Sequence, residues 1–250
     1  MTGRSEVPIA FAHRGFSVNG IENSMAAFQA AVDLGYRYLE TDSRASADGV
    51  AIAFHDYSLD RVTNHLGRLK DLPWSEIAAA RIFGHAPIPR LEDVLDTFED
   101  QQFNIDVKSH SAIGPTLDVL RRTNAWHRVR LASFSHSRIS VLRQAAGPEV
   151  ASALSPPEIL ALFAAHRGRV GQLQPAGSDW AAQVPSGPSW LRLVTPRFIA
   201  SAHARGIAVH VWTINDRAEM SRLLDLGVDG IMTDRADTLR DVLLERGQWH

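Results

Sequence analysis

Short runs of β-branched and aromatic residues alternate along this chain with longer stretches whose apolar residues recur at helical spacing. Such alternation predicts parallel strands, with the connecting helices packed outside the sheet. About eight strands in a chain of this length favour a closed, TIM-like (β/α)8 barrel over an open sheet. We therefore predict one α/β barrel domain spanning residues 1–250.

The predicted elements follow one another in a regular order. Strands are predicted at Ile9–His13, Arg37–Asp42, Val50–His55, Phe103–Lys108, Val129–Phe134, Val150–Leu154, Gly171–Gln174, Ile207–Ile214 and Gly230–Thr233. Helices are predicted at Ser24–Leu34, Ala112–Arg122, Ser137–Ala145, Pro156–Ala165, Pro196–Arg205, Asp216–Leu226 and Thr238–Arg246.

Two stretches interrupt this order. Residues 57–102 contain several Pro and Gly residues, with helical patterns only near Ser75–Arg81 and Leu91–Phe98. We interpret them as a small insertion after the third strand, on a face of the barrel where loops carry function. The stretch Pro175–Pro188 is rich in Gly, Pro and Ser, and it is predicted to be a long loop.

The composition of the chain excludes several classes of function. With a formal charge of −2 and a pI of about 6.6, the chain shows no general attraction to nucleic acid. The absence of cysteine excludes disulfides, thiolate metal sites and cysteine nucleophiles. There is neither a signal-like leader nor a transmembrane-length apolar run, so we expect a soluble, cytoplasmic protein whose partner is a small molecule.

Charged side chains stand where the first four predicted strands end. The chain there reads His13-Arg14-Gly15, Glu40-Thr41-Asp42, His55-Asp56 and Asp106-Val107-Lys108. Catalytic groups of a barrel gather at the C-terminal ends of its strands. Residues two apart on a strand share a face, so Glu40 lies on the face of Asp42. For the same reason, Asp106 lies on the face of Lys108.

The carboxylates of Glu40, Asp42 and Asp106 would repel one another at the barrel mouth unless positive charge lay between them. A hard divalent cation meets this need, and oxygen ligands favour Mg²⁺ or Ca²⁺. The sequence thus predicts one such cation bound by these three residues. The alternative, structural ion pairs with arginines, fits a single carboxylate better than three on neighbouring strands.

His13 and His55 titrate near neutral pH and could serve as general base and general acid. Arg14 and Lys108 could bind phosphate oxygens. Together with a metal, these groups indicate a phosphate-ester site, since acyl and glycosyl transfer need less positive charge. A hydrogen-bonded structural histidine is the alternative for each imidazole, and His210 remains open between the two roles.

Eight motifs follow one another along almost the whole chain, from about residue 9 to 240. They are His13-Arg14-Gly15, Glu22-Asn23-Ser24, Glu40-Thr41-Asp42, Asp48-Gly49, His55-Asp56, 104–108 (Asn-Ile-Asp-Val-Lys), 211–215 (Val-Trp-Thr-Ile-Asn) and 227–234 (Gly-Val-Asp-Gly-Ile-Met-Thr-Asp). With these motifs in this order, the chain resembles the glycerophosphodiester phosphodiesterase family. The resemblance implies a TIM-like barrel that hydrolyses glycerophosphodiesters to sn-glycerol 3-phosphate and an alcohol.

The resemblance also implies a role for each matching residue. The acid–base pair would be His13 and His55, the metal ligands Glu40, Asp42 and Asp106, and the phosphate clamp Arg14 and Lys108. In addition, Glu22 and Asn23 would order the loop after the first strand. Trp212 would line the pocket near the glycerol or headgroup, with a core-filling role as the alternative.

Three positions depart from the family pattern. Asp106 stands where the family usually has glutamate, so its carboxylate reaches one methylene less far and metal preference could change. Ile21 and Ala236 each replace a common proline, and both changes affect loop stiffness without touching the predicted chemistry.

Two rival functions fit the same barrel. A lysophospholipase D or sphingomyelinase D-like enzyme would show an apolar groove or exposed aromatic loops at the mouth. A catalytically silent barrel that binds phosphorylated ligands would need no acid–base pair, so both histidines argue against it. Direct attack by water and a cyclic phosphate formed by the 2-hydroxyl are both compatible with these residues.

Overall fold

A computed structural model of the chain describes residues 7–17, 20–148, 150–165, 179–187 and 193–249. Its strands are, in chain order, β1 (Ile9–His13), β2 (Tyr38–Ala45), β3 (Ala51–Ala53), β4 (Arg81–Ile82), β5 (Ala86–Pro87), β6 (Gln102–Val107), β7 (Val129–Ala132), β8 (Ala151–Ala153), β9 (Trp180–Pro185), β10 (Ile207–Trp212) and β11 (Gly230–Thr233). Eight of them form a ring in the order β1-β2-β6-β7-β8-β9-β10-β11, and β11 pairs with β1 to close it. Every pair in the ring is parallel, so the predicted TIM-like barrel is confirmed.

Helices cover the outside of the ring, apart from one short helix in the insertion. They are α1 (Met25–Asp33), α2 (Trp74–Ile77), α3 (Leu91–Thr97), α4 (Ile113–Arg122), α5 (His136–Ala146), α6 (Pro156–Ala165), α7 (Pro196–His203), α8 (Arg217–Leu226) and α9 (Ala236–Glu245). Side-chain caps fix several starts, as where Ser24 accepts a hydrogen bond from the Ala27 amide. Two buried apolar clusters join helices to strands, one around Phe28, Leu39 and Phe103 and one around Phe198, Val209 and Leu223. No helix within the described ranges is long and apolar enough to cross a bilayer.

The third strand differs from its prediction. Val50–His55 was predicted to be a strand of the barrel, but β3 pairs antiparallel with the end of β2 and lies outside the ring. The eight-residue β2 extends beyond its parallel neighbours, and this overhang gives β3 its partner. The third strand of the ring proper is β6.

The insertion after β3 has a small core of its own. The buried apolar residues Leu59, Val62, Ile77 and Ile82 of the insertion pack together with Ile52 of β3. This cluster holds the insertion firmly against the rim beside β2 and β3, so that polar side chains from residues 57–102 can be positioned at the barrel mouth.

The predicted long loop Pro175–Pro188 was wrong in part, because β9 occupies Trp180–Pro185 and belongs to the ring. Gly, Pro and Ser on both sides concealed a strand whose Trp180 is buried and stacks 4.2 Å below the Arg143 guanidinium. The predicted strand Gly171–Gln174 lies outside the described residues.

His210 occupies the barrel interior rather than a reactive position. It is buried, its ring centroid lies 5.0 Å from that of Phe11, and neither ring nitrogen has a hydrogen-bond partner among the described residues. Burial, reinforced by the charge of Arg130, holds the pKa of His210 well below its usual value. The structure therefore favours the structural role for this histidine.

The burial of His210 predicts that the folded protein loses stability at acid pH. Because the folded-state pKa of His210 is below the unfolded-state value of about 6.5, the unfolded chain binds the proton preferentially, and folding stability falls as pH drops below that value. We expect His210→Leu to remove about 1–2 kcal/mol of the stability loss between pH 7 and pH 5. Urea unfolding at both pH values measures the difference.

The exposed His85 supplies the control, since His85→Gln leaves His210 in place and should keep the wild-type acid sensitivity. An unchanged pH dependence in His210→Leu would show that the buried imidazole does not contribute to acid unfolding.

Candidate active site

The predicted site residues meet at one end of the barrel because of strand register. His13 is aligned with Glu40 across β1 and β2, and Asp42 is aligned with Asp106 across β2 and β6. A cavity of about 590 Å³ opens there. Its lining includes His13, Arg14, Glu40, His55, Asp106, Lys108 and Trp212. Asp42 is buried at the same level of the barrel, with 1% of its surface exposed.

Lys108 bridges two of the three carboxylates. Its Nζ lies 2.8 Å from Asp42 Oδ1 and donates a hydrogen bond of 2.7 Å to Asp106 Oδ2. Burial alone would lower the pKa of Lys108, but the two carboxylates raise it above its usual value. Lys108 is therefore a fixed positive charge at the centre of the site.

The three carboxylates differ electrostatically. Burial raises the pKa of Glu40, and the nearby Asp42 charge raises it further. Burial would also raise the pKa of Asp42, but Lys108 and Arg14 together hold it below its usual range. The pKa of Asp106 is raised by burial despite the Lys108 charge. Burial thus favours the neutral form of Glu40 and Asp106, whereas the two cations favour the ionised form of Asp42.

Arg14 begins a tight loop after β1. Its backbone has φ 57°, its amide donates to the Glu40 carbonyl (3.0 Å) and to Glu40 Oε2 (3.1 Å), and its Nε lies 3.1 Å from Asp42 Oδ2. Gly15 follows with φ 82°, and a Cβ there would lie 2.6 Å from the Ala27 carbonyl carbon of α1. The loop therefore approaches α1 so closely that only glycine, which has no side chain, fits at this position. This close packing fixes the Arg14 guanidinium beside Asp42.

Asn23 ties the same loop to β2. It is buried, has φ 55°, donates from Nδ2 to Asp42 Oδ2 (2.9 Å) and accepts at Oδ1 from Thr41 (2.7 Å). Asn23 therefore acts on the predicted ligand Asp42 directly, as well as on the loop that it was expected to order.

Each site histidine has a carboxylate partner at Nδ1. His13 contacts Asp234 Oδ1 at 2.6 Å, and Asp234 accepts a hydrogen bond from Asn215 Nδ2 (2.8 Å). Burial would lower the pKa of His13, but Glu40 and Asp234 outweigh it and raise the pKa. With Nδ1 held by Asp234, Nε2 is the ring nitrogen on the Glu40 side, 3.8 Å from Oε2.

His55 is held in a similar way by the next residue, which is in turn held by an arginine of the insertion. Its Nδ1 contacts Asp56 Oδ1 at 2.7 Å, and Arg61 donates to Asp56 (2.5 Å) and to Glu22 (2.6 Å). Glu22 in turn accepts from Arg14 Nη1 (3.0 Å). Burial lowers the pKa of His55 in spite of the Asp42 and Asp56 charges. One surface arginine thus connects the His55 partner to the Arg14 loop.

Sequence reasoning gave no roles to Asp56, Arg61, Asn215 and Asp234. Asp56 and Asp234 could have been found, since an acidic residue beside a strand-end histidine, or at the last strand end next to the first, is a natural imidazole partner. Arg61 carried no such signal because its two partners are distant in sequence from each other. Trp212, half-buried at the end of β10, lines the cavity and meets the Phe134 ring edge-on at 5.4 Å.

The three carboxylates offer the oxygen ligands that a hard cation prefers, but the arrangement of the described residues is not that of a coordination shell. Within the described ranges, no three carboxylate or imidazole groups are arranged to hold a metal ion as they stand, since the Lys108 ammonium lies between Asp42 and Asp106. However, Asp106 Oδ1 is buried and has no hydrogen-bond partner among the described residues. Buried carboxylate oxygens without a donor are suitable ligands for Mg²⁺ or Ca²⁺.

Comparison with known proteins gives consistent matches. Residues 13–238 match the sequence model of the glycerophosphoryl diester phosphodiesterase family. The chain is 41% identical to "Probable glycerophosphodiester phosphodiesterase 2" of Mycobacterium tuberculosis, over 96% of this chain and 92% of that protein. It is 28% identical to a glycerophosphodiester phosphodiesterase of Caldanaerobacter subterraneus, covering 96% and 99%.

Solved structures are similar along most of their length. A glycerophosphodiester phosphodiesterase from Agrobacterium tumefaciens superposes with a TM-score of 0.75 at 25% identity, covering 94% of this chain and 98% of that one. An Oleispira antarctica phosphodiesterase, solved with its product sn-glycerol-3-phosphate, gives a TM-score of 0.77 at 21% identity, covering 96% and 98%.

The packing of Gly15 against α1 makes a testable prediction. Gly15→Ala adds both a left-handed backbone penalty and a collision with α1, whereas Gly84→Ala adds only the penalty, because Gly84 has φ 77° and nothing within 4 Å. We expect Gly84→Ala to cost about 1 kcal/mol of unfolding free energy and Gly15→Ala to cost clearly more, by about 1–3 kcal/mol. Denaturant unfolding compares the two variants, and equal losses would contradict the close approach.

Proposed function

The chain belongs to the glycerophosphoryl diester phosphodiesterase family and is a phosphoric diester hydrolase, and we propose that its catalysis uses two histidines and a divalent cation. The substrate is a small-molecule glycerophosphodiester, which is cleaved to sn-glycerol 3-phosphate and an alcohol. The product bound to the Oleispira antarctica phosphodiesterase, a protein of the same fold, supports this choice of product.

One observation carries the proposal: two carboxylate-held imidazoles, two cationic side chains and three buried carboxylates lie together at a single barrel mouth. Arg14 and Lys108 bring positive charge to the cavity, where phosphate oxygens would be bound. A binding protein would need these cations but would have no use for two oriented imidazoles.

Hydrolysis needs one proton taken up and one delivered. A nucleophile oxygen, from water or from the glycerol 2-hydroxyl, forms a bond to phosphorus while the bond to the leaving alcohol breaks. One of His13 and His55 accepts the proton of the nucleophile, and the other protonates the leaving oxygen. Asp234 and Asp56 occupy the Nδ1 atoms, so that each histidine presents Nε2 for transfer. If the 2-hydroxyl attacks, water then opens the cyclic phosphate.

Glu40, Asp42 and Asp106 would hold the cation. When bound, it would supply Lewis-acid polarisation of a phosphate oxygen. Arg14 and Lys108 stabilise charge that develops on the other phosphate oxygens, and the hydrogen bond from Asn23 keeps Asp42 oriented. The hard oxygen ligands favour Mg²⁺ or Ca²⁺.

The cation is tested by activity and by stability together. We expect EDTA to abolish glycerol 3-phosphate release from glycerophosphocholine, and added Mg²⁺ or Ca²⁺ to restore it. Saturating cation should raise the melting temperature of the wild type by a few degrees. In Asp42→Asn, which keeps the side-chain shape, that rise should vanish.

Asp118→Asn provides the matched control because Asp118 is an exposed carboxylate paired with Arg121 on α4. It should retain the cation-dependent rise of the wild type. Activity that persists in EDTA, or an equal rise in Asp42→Asn, would count against metal binding by these carboxylates.

The histidine roles are tested by substitution. His13→Ala and His55→Ala should each lower kcat by roughly 10²–10⁴-fold, the usual contribution of general acid–base catalysis. The exposed His85→Ala should keep full activity. Wild-type turnover by either site variant would remove that histidine from the mechanism.

A further inference from the structure

An arginine of the insertion contacts two acidic residues that belong to different parts of the site. Arg61 donates from Nε to Asp56 Oδ2 (2.5 Å) and from Nη2 to Asp56 Oδ1 (3.2 Å). Its Nη2 also donates to Glu22 Oε1 (2.6 Å). The two-pronged contact with Asp56 fixes the plane of that carboxylate as well as its position. One guanidinium group therefore binds both acids.

Each of these acids in turn contacts a residue that lines the cavity. Asp56 Oδ1 lies 2.7 Å from His55 Nδ1. Glu22 Oε1 accepts a hydrogen bond from Arg14 Nη1 (3.0 Å). Both His55 and Arg14 line the cavity at the barrel mouth. A continuous series of contacts thus runs from the imidazole of His55 to the guanidinium of Arg14, and Arg61 is its central member.

The orientation of both acids depends on Arg61. Among the described residues, the Asp56 carboxylate has hydrogen bonds only with His55 and Arg61. Within the same part of the chain, the Glu22 carboxylate has them only with Arg14 and Arg61. Burial alone would raise the pKa of Asp56, but Arg61 and His55 hold it below its usual value. Arg61 therefore keeps Asp56 ionised and in place beside His55 Nδ1.

The backbone of Arg61 is anchored, although its side chain is half exposed. Leu59 and Val62, on either side of it, are 1% and 3% exposed and belong to the insertion core. The Leu59 amide donates to the Gly67 carbonyl (3.0 Å), and the Val62 carbonyl accepts from the Phe83 amide (2.7 Å). Because the guanidinium extends from a fixed backbone, holding it in one geometry costs less conformational entropy.

The insertion also packs directly onto the loop that carries Glu22. Ile21 packs against the buried apolar residues of the insertion. A Cβ at Gly20 would lie 3.0 Å from Cε2 of the Phe83 ring, so the ring and this backbone are in close contact. These contacts hold Glu22 near Arg61 independently of the ion pair between them.

We propose that Arg61 is a positioning residue, which holds the His55 imidazole through Asp56 in a fixed relation to the Arg14 guanidinium. In this arrangement Glu22 anchors Arg61 to the loop after β1, and Arg61 orients Asp56. The inference rests on the proposed function, because it requires that His55 transfers a proton and that Arg14 binds phosphate. It gives the insertion a part in the reaction, which is to place the proton-transfer group relative to the phosphate.

A contribution to stability alone does not account for this arrangement. Ion pairs of half-exposed side chains add little to folding stability, because water and salt screen them. Proton transfer is more demanding, since a displacement of about 1 Å can lower a rate about 10²-fold. The other histidine has a similar support: Asp234, the partner of His13, accepts a hydrogen bond from Asn215 Nδ2 (2.8 Å). In each imidazole–carboxylate pair, a third residue orients the acid.

The substitution Arg61→Gln tests the proposal, because it removes the charge and the two-pronged contact but keeps a polar side chain. We expect kcat for glycerophosphocholine to fall by about ten- to a hundred-fold, since His55 loses its fixed orientation. KM should change by less than about three-fold, because Arg14 keeps its contact with Asp42 (3.1 Å). The melting temperature should fall by no more than a few degrees.

A second arginine provides the matched control. Arg121 is paired with the carboxylate of Asp118 (2.6 Å), and its side chain is 55% exposed compared with 50% for Arg61. It lies on α4, outside the cavity lining, so Arg121→Gln should keep the wild-type kcat and KM. Arg61→Lys keeps the charge without the two-pronged contact, and we expect it to recover only part of the lost kcat.

A double variant tests whether Arg61 acts through His55. Residues that act as a unit have non-additive effects on rate, because the second substitution removes a contribution that the first has already lost. In a His55→Ala background, Arg61→Gln should therefore lower the remaining kcat by less than about three-fold. A general distortion of the site would lower kcat equally in both backgrounds.

The outcomes separate this inference from the proposed function. Wild-type kcat in Arg61→Gln would overturn the inference, and so would an equal loss of kcat in the His55→Ala background. Full recovery of kcat in Arg61→Lys would overturn it as well, since charge alone would then suffice. These results leave the proposed function intact. By contrast, failure of the wild type to hydrolyse glycerophosphocholine, or wild-type turnover by His55→Ala, would overturn the proposed function itself.

Discussion

Three buried carboxylates on two adjacent parallel strands are the constraint from which the rest of the site follows. Register sets Asp42 beside Asp106, and alternation puts Glu40 on the same face as Asp42. Anions gathered in a low-dielectric pocket are strongly destabilising unless charge and hydrogen bonds compensate them. Lys108 contacts Asp42 and Asp106, and Arg14 lies beside Asp42. The Asp106 Oδ1 oxygen still has no hydrogen-bond donor among the described residues.

The need to compensate the buried carboxylates also shapes the backbone around the site. Arg14 and Asn23 both adopt left-handed conformations that are unfavourable for side-chain-bearing residues, and both contact Asp42. Such strain persists only where the surroundings hold it, and here Gly15 locks the loop onto α1. The insertion contributes from the opposite side, where Arg61 joins the partner of His55 to the partner of Arg14. Loop, insertion and strands thus form one hydrogen-bonded unit around the carboxylates.

The sequence predicted the parts of this molecule that depend on local pattern. Parallel strands with external helices, and charged strand ends at one mouth, follow from periodicity and from the topology of a barrel. Pairing over long distances was less predictable. Strand β3 lies outside the ring because the long β2 provides its pairing partner. No property of the β3 residues themselves indicated this pairing. β9 was missed because its flanks are rich in turn-forming residues.

Side-chain partnerships were the hardest part to predict. Asp234 reaches His13 across the seam where β11 meets β1, and Arg61 reaches two residues in different loops. Neither contact follows from spacing, because each depends on how the closed ring and the insertion are placed.

Asp106 shows how one methylene can matter in this setting. Lys108, two residues on and on the same face, reaches Asp42 and Asp106 together at 2.8 and 2.7 Å. A glutamate at 106 would carry its carboxylate one methylene farther from the strand. With aspartate there, the ammonium lies between both acids at the cavity wall, where it offsets their repulsion. Lys108 is therefore part of the electrostatic balance of the carboxylates as well as a cation that faces the cavity.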